Sequence, residues 1–272
     1  MIKAIFFDLD GTLLDSNKKI QPTSIKALKQ CKDKGIKLFL ATARPPLLYK
    51  MLRFTDEENN LFDGGVYCNG GCIKINHLCE YLYLPSEVVN ETIDIVKQYE
   101  KMNVALQMEN EVHAFRYLMD KHAYEEWGID QEDVFTIENA AIDHTVKILI
   151  YYENVYDSVT KLPNEIREKL KKYCNNKATI YITDEEKLIQ IVNQRVNKME
   201  GIERIRKLLN LNKDEIAVFG DDVNDIEMLS EYQYSVAMGN ASQNVKGVAK
   251  IITKDNNHDG IYYGIQKLLR NT

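Results

Sequence analysis

Asp8 and Asp10 stand two residues apart at the end of an apolar run, Ile5-Phe6-Phe7, and are followed by Gly11 and Thr12. Burying a carboxylate without a partner is costly, so two acids closing a hydrophobic strand call for a cation or form a catalytic pair. Side chains alternate along a strand, so both acids are expected to point the same way where the chain turns at Gly11. A surface Asp-Gly turn is the alternative that this stretch alone leaves open. Polar groups recur after three further apolar runs: Thr42-Ala43-Arg44, Asn69-Gly70-Gly71 and Gly220-Asp221-Asp222-Val223-Asn224-Asp225. Lys198 follows Asn197 at a helix start.

Were these ends to meet, three carboxylates, a hydroxyl, an arginine and a lysine would share one site. Two carboxylates about 4 Å apart repel by roughly 4 kcal/mol at an effective dielectric of about 20, and a third compounds this. Oxygen-only donors without histidine or thiolate favour a hard cation, of which magnesium is the common one. Arg44 and Lys198 favour an anionic substrate, whose oxygens Thr42 and backbone amides can hold. Carboxylate, magnesium, lysine and hydroxyl around one anion describe phosphoryl transfer. The chain has no glycine-rich loop with Gly-Lys-Ser/Thr, which argues against a nucleotide-driven motor.

The elements needed to bring these groups together are legible in the hydrophobic pattern. Strands are expected at 2–9, 36–40 and 65–68, with an amphipathic helix at 22–34 and another opening at Pro45-Pro46. Strand, helix, strand in succession is the signature of a parallel sheet with crossover helices, whose ligands bind outside the carboxyl ends of the strands. From Tyr81 the pattern changes to strand-rich runs at 104–108, 112–117, 146–152, 179–183 and 187–192, with helices at 86–101 and 155–173. A hairpin is expected around Asn76-His77. The opening pattern resumes with a helix capped by Asn197, a strand at 216–219, a helix at 223–231 and a strand at 234–237. The expected organisation is an α/β, Rossmann-like parallel-sheet core over 1–84 and 191–272, interrupted by an inserted α+β domain over 85–190.

With four motifs in order at strand ends, the chain resembles the haloacid dehalogenase (HAD) superfamily, and within it the Cof-type, sugar-phosphatase-like hydrolases with a large inserted cap (C2 type). Asp8-Leu9-Asp10-Gly11-Thr12-Leu13 carries the first motif, Thr42 the second, Lys198 the third and Gly220 through Asp225 the fourth. Ala237-Met238-Gly239-Asn240-Ala241 and Asp259-Gly260 add later echoes. The resemblance implies Asp8 as the nucleophile that forms an aspartyl-phosphate, and Asp10 as the acid and then the base. It implies magnesium held by Asp8, the main-chain carbonyl of Asp10, Asp221 and Asp225. Thr42 and Lys198 would bind the transferring phosphoryl group, and Asn224 fits the same helix start as Asp221 and Asp225. Arg44 is either a phosphate ligand or a solvated or cap-facing group. Asn69 either lines the site or occupies a left-handed turn before Gly70. Ala43 and Met199 stand where this subfamily often has glycine, and neither change removes a catalytic group.

The implied activity is a magnesium-dependent phosphomonoesterase acting on a small phosphorylated metabolite, a sugar phosphate or a phosphorylated cofactor. A phosphomutase of the same superfamily, or a catalytically silent phosphometabolite-binding protein, are the competing readings. The cap should choose the substrate, with His113, Arg116, Lys147 and Tyr151 as its polar candidates, although His113, Arg116 and Lys147 are residues more often found at a surface than as ligands.

Composition agrees with this frame. A net charge of −6 and a pI near 5.5 argue against nucleic acid and anionic membrane as partners. No apolar run approaches a membrane span, the start lacks a signal-peptide cleavage region, and no obligate protein partner is implied. The five cysteines, Cys31, Cys68, Cys72, Cys79 and Cys174, are odd in number and read as reduced thiols of a cytoplasmic protein. Cys68, Cys72, His77 and Cys79 cluster without the two-residue gaps of structural zinc, and are expected as buried small side chains.

Overall fold

Strand β1 (Ala4–Phe7) is apolar on both faces and buried throughout, as a strand covered on both sides of a parallel sheet must be. Phe6 stacks on Phe39 at 4.8 Å and Phe7 on Phe219 at 4.9 Å, one ring to each side of the strand. In chain order follow α1 (Pro22–Asp33), β2 (Lys37–Ala41), α2 (Leu48–Leu52), α3 (Asp56–Asn59), β3 (Gly64–Tyr67), β4 (Cys72–Ile75) and β5 (Leu78–Tyr81). Next come α4 (Ser86–Lys97), β6 (Met102–Met108), β7 (His113–Phe115), α5 (Lys121–Trp127), β8 (Val134–Thr136), β9 (Thr145–Tyr152), α6 (Asn164–Cys174), β10 (Ala178–Thr183) and β11 (Leu188–Asn193). The chain closes with α7 (Lys198–Leu208), β12 (Ile216–Gly220), α8 (Ile226–Glu231), β13 (Tyr234–Ala237), α9 (Gln243–Val248), β14 (Ile251–Ile252) and α10 (Gly260–Arg270). This computed structural model describes residues 1–152 and 160–270.

Two compact units emerge, one of Met1–Arg44, Leu52–Glu80 and Asn197–Thr272, the other of Pro45–Met51 and Tyr81–Val196. The first holds a sheet in the order β14-β13-β12-β1-β2-β3-β4-β5, parallel from β14 to β3 and antiparallel between β3 and β4. Its core on one face joins Phe6, Phe39, Val66, Ile202, Ile205, Val218 and Leu229. On the other face α10 approaches so closely that a Cβ on Gly264 would lie 2.5 Å from the Phe219 ring.

The second unit holds a six-stranded sheet, β10-β11-β9-β6-β7-β8, antiparallel except for the β7–β8 pair. Helices α4 and α6 contribute Val89, Ile93, Val96, Ile166 and Leu170 to a core with Val104, Leu106, Ile148, Ile150 and Ile191 of the sheet. Tyr124 of α5 packs on the opposite face with Ala105, Phe115, Leu149 and Tyr151, and the mostly antiparallel sheet with its helices is the α+β arrangement expected of the inserted stretch.

Several details depart from the sequence expectation. The β1 ladder ends at Phe7, so Asp8 and Asp10 lie in the turn that follows, and strand alternation does not fix their directions. Strand β8 was not anticipated, because three residues carry too little periodicity to register. The helix expected at 155–173 is observed from Asn164, and residues 155–159 lie outside the described residues. Cys68 and Cys72 are buried as expected, but Cys79 is exposed.

Candidate active site

Three carboxylates, from Asp8, Asp221 and Asp225, each place an oxygen within 4.8 Å of the others. Asp8 follows β1 and remains tied to the sheet, its N–H donating to the Phe219 carbonyl at 3.0 Å. Asp221 follows β12, the neighbouring strand. Asp225 closes a short 3-10 turn over Val223–Asp225, and its Oδ2 accepts the N–H groups of Asp221 and Asp222 at 2.9 and 3.1 Å. Asp225 thereby holds the main chain of the loop that presents Asp221. Gly220 leaves the room for this, since a Cβ there would lie 2.6 Å from the Asp225 side chain.

Lys198 reaches this acidic group from the first turn of α7. Asn197 caps the helix by accepting the Glu200 N–H at 2.8 Å. Lys198 then shares a helical face with Gly201, Ile202 and Ile205, all buried, so its stem points inward with the core. Its ammonium donates to Asp8 Oδ1 at 2.6 Å and to Asp225 Oδ1 at 2.7 Å. The helix can lie this close because Gly201 faces Val66, where a Cβ would come within 2.3 Å of a methyl group. Gly70, at φ +107°, likewise admits the Asn197 carbonyl to a point 2.3 Å from where its own Cβ would be.

The charges do not balance. Three carboxylates face one ammonium, leaving two negative charges in a largely buried pocket. Burial pushes the Asp8 carboxyl well above its usual range; Lys198 offsets this in part, while Asp225 and Asp221 add to it. Burial likewise raises Asp221, against the hydrogen bond from Thr12 and with the repulsion of Asp225, to about 7. Burial opposes the charge on Lys198, but Asp225 and Asp8 outweigh it and hold the ammonium firmly protonated. Burial is the main cause of the two carboxyl shifts, and the neighbouring acids are the cause of the Lys198 shift. An oxygen-only donor set with two uncompensated charges fits a divalent cation.

Asp10 belongs to a different cluster. Its carboxylate accepts two bonds from Arg44, Nε to Oδ2 at 2.7 Å and Nη2 to Oδ1 at 2.8 Å, and one from Lys18 Nζ at 2.6 Å. Burial would raise its pKa, yet the bonds from Arg44 and Lys18 win and hold it well below the ordinary carboxylate range. Asp10 and Arg44 are therefore paired with each other, and a metal contact from Asp10 would rest on its main-chain carbonyl. Thr42 is buried just past β2, its Oγ1 accepting the Arg44 N–H at 3.1 Å.

Asn69 adopts the left-handed conformation at φ 58°, as one of its two expected readings has it, and its side chain is buried. Its Oδ1 accepts from Asn224 Nδ2 at 3.1 Å, while its own Nδ2 is buried without a partner among the described residues. A buried amide donor left open in this way suits an anionic oxygen.

Three residues to which the sequence reading gave no role also touch the acids. Thr12 Oγ1 donates to Asp221 Oδ1 at 2.6 Å, Asn240 Nδ2 donates to Asp221 Oδ2 at 3.0 Å, and Lys18 binds Asp10. Thr12 and Asn240 sit within stretches that the sequence singled out, whereas nothing marked Lys18.

Of the four candidates in the inserted stretch, two are structural. Arg116 donates through Nη1 to the carbonyls of Val96, Tyr99 and Met102, each at 2.9 Å, and Tyr151 accepts from Asn103 at 3.3 Å. His113 and Lys147 are buried and lie in one row across the sheet, both in register with Gln107. His113 holds its Nδ1 2.8 Å from the Glu111 carbonyl, leaving Nε2 buried and unpartnered among the described residues.

Comparison with known proteins shows the family and the fold. The family profile of haloacid dehalogenase-like hydrolases matches residues 5–265. Among curated relatives, 5-amino-6-(5-phospho-D-ribitylamino)uracil phosphatase YitU of Bacillus subtilis (strain 168) is 27% identical over 94% of each chain. Phosphoglycolate phosphatase 1 of Saccharolobus solfataricus is 26% identical, over 99% of this chain and 97% of the relative. Two solved structures share the fold. A HAD subclass IIB sugar phosphatase aligns at TM-score 0.79 and 23% identity over 98% of both chains. A HAD/COF-like hydrolase from Plasmodium vivax aligns at TM-score 0.82 and 22% identity, over 100% of this chain and 96% of the other.

Proposed function

The chain belongs to the haloacid dehalogenase-like hydrolases, and from that premise we propose that it is a magnesium-dependent phosphatase of small phosphomonoesters working through an aspartyl-phosphate on Asp8. The observation that carries this reading is the buried Lys198 ammonium bridging Asp8 and Asp225, with Asp221 as a third acid. Such a group is over-supplied with negative charge until a cation joins it.

Asp8, Asp221 and Asp225 would hold Mg2+, together with the Asp10 carbonyl. When bound, the ion supplies charge compensation between the acids and the substrate's phosphoryl oxygens. Lys198 occupies Asp8 Oδ1, which leaves Oδ2 as the atom that attacks phosphorus. The P–O bond to the alcohol breaks, and the alkoxide takes a proton from Asp10. Water then attacks the phosphoryl group with Asp10 as base, and Asp8 is released. Thr42, Lys198 and the open Nδ2 of Asn69, steadied by Asn224, are the donors for the phosphoryl oxygens.

Asp10 needs a proton before it can act as an acid, and its two cations oppose this. Turning Arg44 or Lys18 toward the substrate dianion would both bind substrate and raise the proton affinity of Asp10. The inserted stretch would select the alcohol, a sugar or a cofactor fragment, in keeping with the substrates for which the relatives are named.

Asp8→Asn is expected to abolish release of phosphate from p-nitrophenyl phosphate and from a panel of sugar phosphates, with an unchanged circular dichroism spectrum. Chelation should silence the wild type. A D8N protein with wild-type turnover would sink the reading, and turnover that requires a sugar bisphosphate activator would point to a mutase instead.

A further inference from the structure

Lys198 donates to Asp8 and Asp225 but not to Asp221, so something else must aim the Asp221 carboxylate. Thr12 holds Oδ1 at 2.6 Å, and Asn240 holds Oδ2 at 3.0 Å. The second hydrogen on Asn240 Nδ2 goes to the Gly11 carbonyl at 2.9 Å, and its Oδ1 accepts the Asn256 N–H at 3.2 Å. A flipped amide would set oxygen against two acceptors, so the network dictates its orientation.

The backbone beneath Asn240 is equally constrained. The Met238 N–H donates to the Gly220 carbonyl at 3.0 Å, directly before Asp221. Gly239 donates to the Lys254 carbonyl at 3.0 Å and accepts from Lys246 Nζ at 2.6 Å, and Ala241 donates back to Met238 at 3.1 Å. No side chain fits at Gly239, where a Cβ would lie 2.6 Å from the Asp255 nitrogen. Asn240 is therefore delivered to Asp221 by a braced turn.

The geometry points to Asn240 as the positioning residue that orients the Asp221 carboxylate for metal binding, by tying it to the Gly11 carbonyl of the turn that follows β1. The inference rests on the proposed metal-dependent reaction. A carboxylate free to rotate about its last torsion presents an oxygen to the cation only part of the time, and the amide removes that freedom. Aspartate could not substitute, since it lacks the donors and would repel Asp221. This is also why a neutral amide serves in a pocket already rich in acid.

The test uses the full-length protein and Mg2+ itself. Titration calorimetry without substrate is expected to show Asn240→Ala and Asn240→Leu binding Mg2+ about 10–100-fold more weakly than wild type, the range for lost partners of metal ligands. At saturating Mg2+ the KM for p-nitrophenyl phosphate should stay within about twofold of wild type and most of kcat should return, which a general loss of packing would not allow. Asn256→Ala removes the bond from its Nδ2 to the Leu14 carbonyl but leaves both Asn240 donors in place, and should bind Mg2+ as wild type does. Wild-type Mg2+ affinity in both Asn240 variants, or an equal loss in Asn256→Ala, overturns the inference alone. A wild-type protein that neither binds Mg2+ nor hydrolyses the ester overturns the proposed function and this inference with it.

Discussion

Asp221 is half-buried beside Asp225 and accepts no bond from Lys198, and the pH response follows from that burial. Asp221 titrates at about 7 in the folded protein against an ordinary 3.8. Across that interval the native metal-free protein holds a proton that the unfolded chain has released, so stability must fall as pH rises from about 4 to about 7. Magnesium needs the ionised form, so its apparent affinity should drop as pH is lowered below 7. In a His113→Asn background, which removes the opposing titration of that buried histidine, chelated protein is thus expected to melt at a lower temperature at pH 8 than at pH 5, with Mg2+ restoring the difference at pH 8; a melting temperature of this variant that climbs with pH in chelator would contradict this. The paired state of Asp10 yields a second outcome. Arg44→Gln removes the strongest opponent of its proton, so the limb of the pH–rate profile that belongs to Asp10 should move to higher pH. The types and order of Asp8, Asp10, Thr42, Lys198 and Asp221 were legible in the sequence because acids and a lysine at the ends of apolar runs have few structural uses. The partners were not. Arg44 and Asp10 lie 34 residues apart, and only the conformation of two turns puts them together.

At the level of elements, α7 is the part on which the site depends most. Its approach is set by two glycines, and each offers a test. A valine at Gly201 must displace Val66, at a cost of about 1–3 kcal/mol in stability for an overpacked contact. Gly70→Ala forces a side chain at φ +107° and against the Asn197 carbonyl, with a cost of about 1–3 kcal/mol. Because Asn197 caps the helix that starts with Lys198, G70A should also lower kcat for p-nitrophenyl phosphate, measured beside urea unfolding of the same variant. In the second unit, burial takes His113 down to about 4 from an ordinary 6.5. A buried neutral histidine favours the native state above pH 6.5, and that advantage falls away between 6.5 and about 4, because the unfolded chain takes up the proton first. The loss approaches about 3 kcal/mol, and His113→Asn should flatten it in hydrogen exchange of β7. Long apolar strands such as β9 and capped helices such as α7 were visible in the pattern of residues. The end of β1 was not, because the turn at Gly11, with φ +83°, interrupts an apolar stretch that continues through Leu9 and Leu13.

At the scale of the whole molecule, the alternation of strand and helix at both ends of the chain specified a parallel sheet, and the observed order β12-β1-β2-β3 realises it. The antiparallel pairing of β3 with β4 was beyond reach, since short strands carry weak periodicity and no pairing direction. No helix of the described residues is long and apolar enough to cross a membrane. The chain matches HAD-type phosphatases over nearly its whole length, and in its first unit it gathers three acids about one buried lysine. The identity of the residue that carries the phosphoryl group separates an aspartyl-phosphate on Asp8 from every other route. Turnover of p-nitrophenyl phosphate stopped by rapid acid quench, followed by borohydride reduction and peptide mapping, converts an aspartyl-phosphate to homoserine. Homoserine at position 8, dependent on substrate, is the predicted result; an intact Asp8 with the phosphoryl group recovered on a different side chain would contradict it.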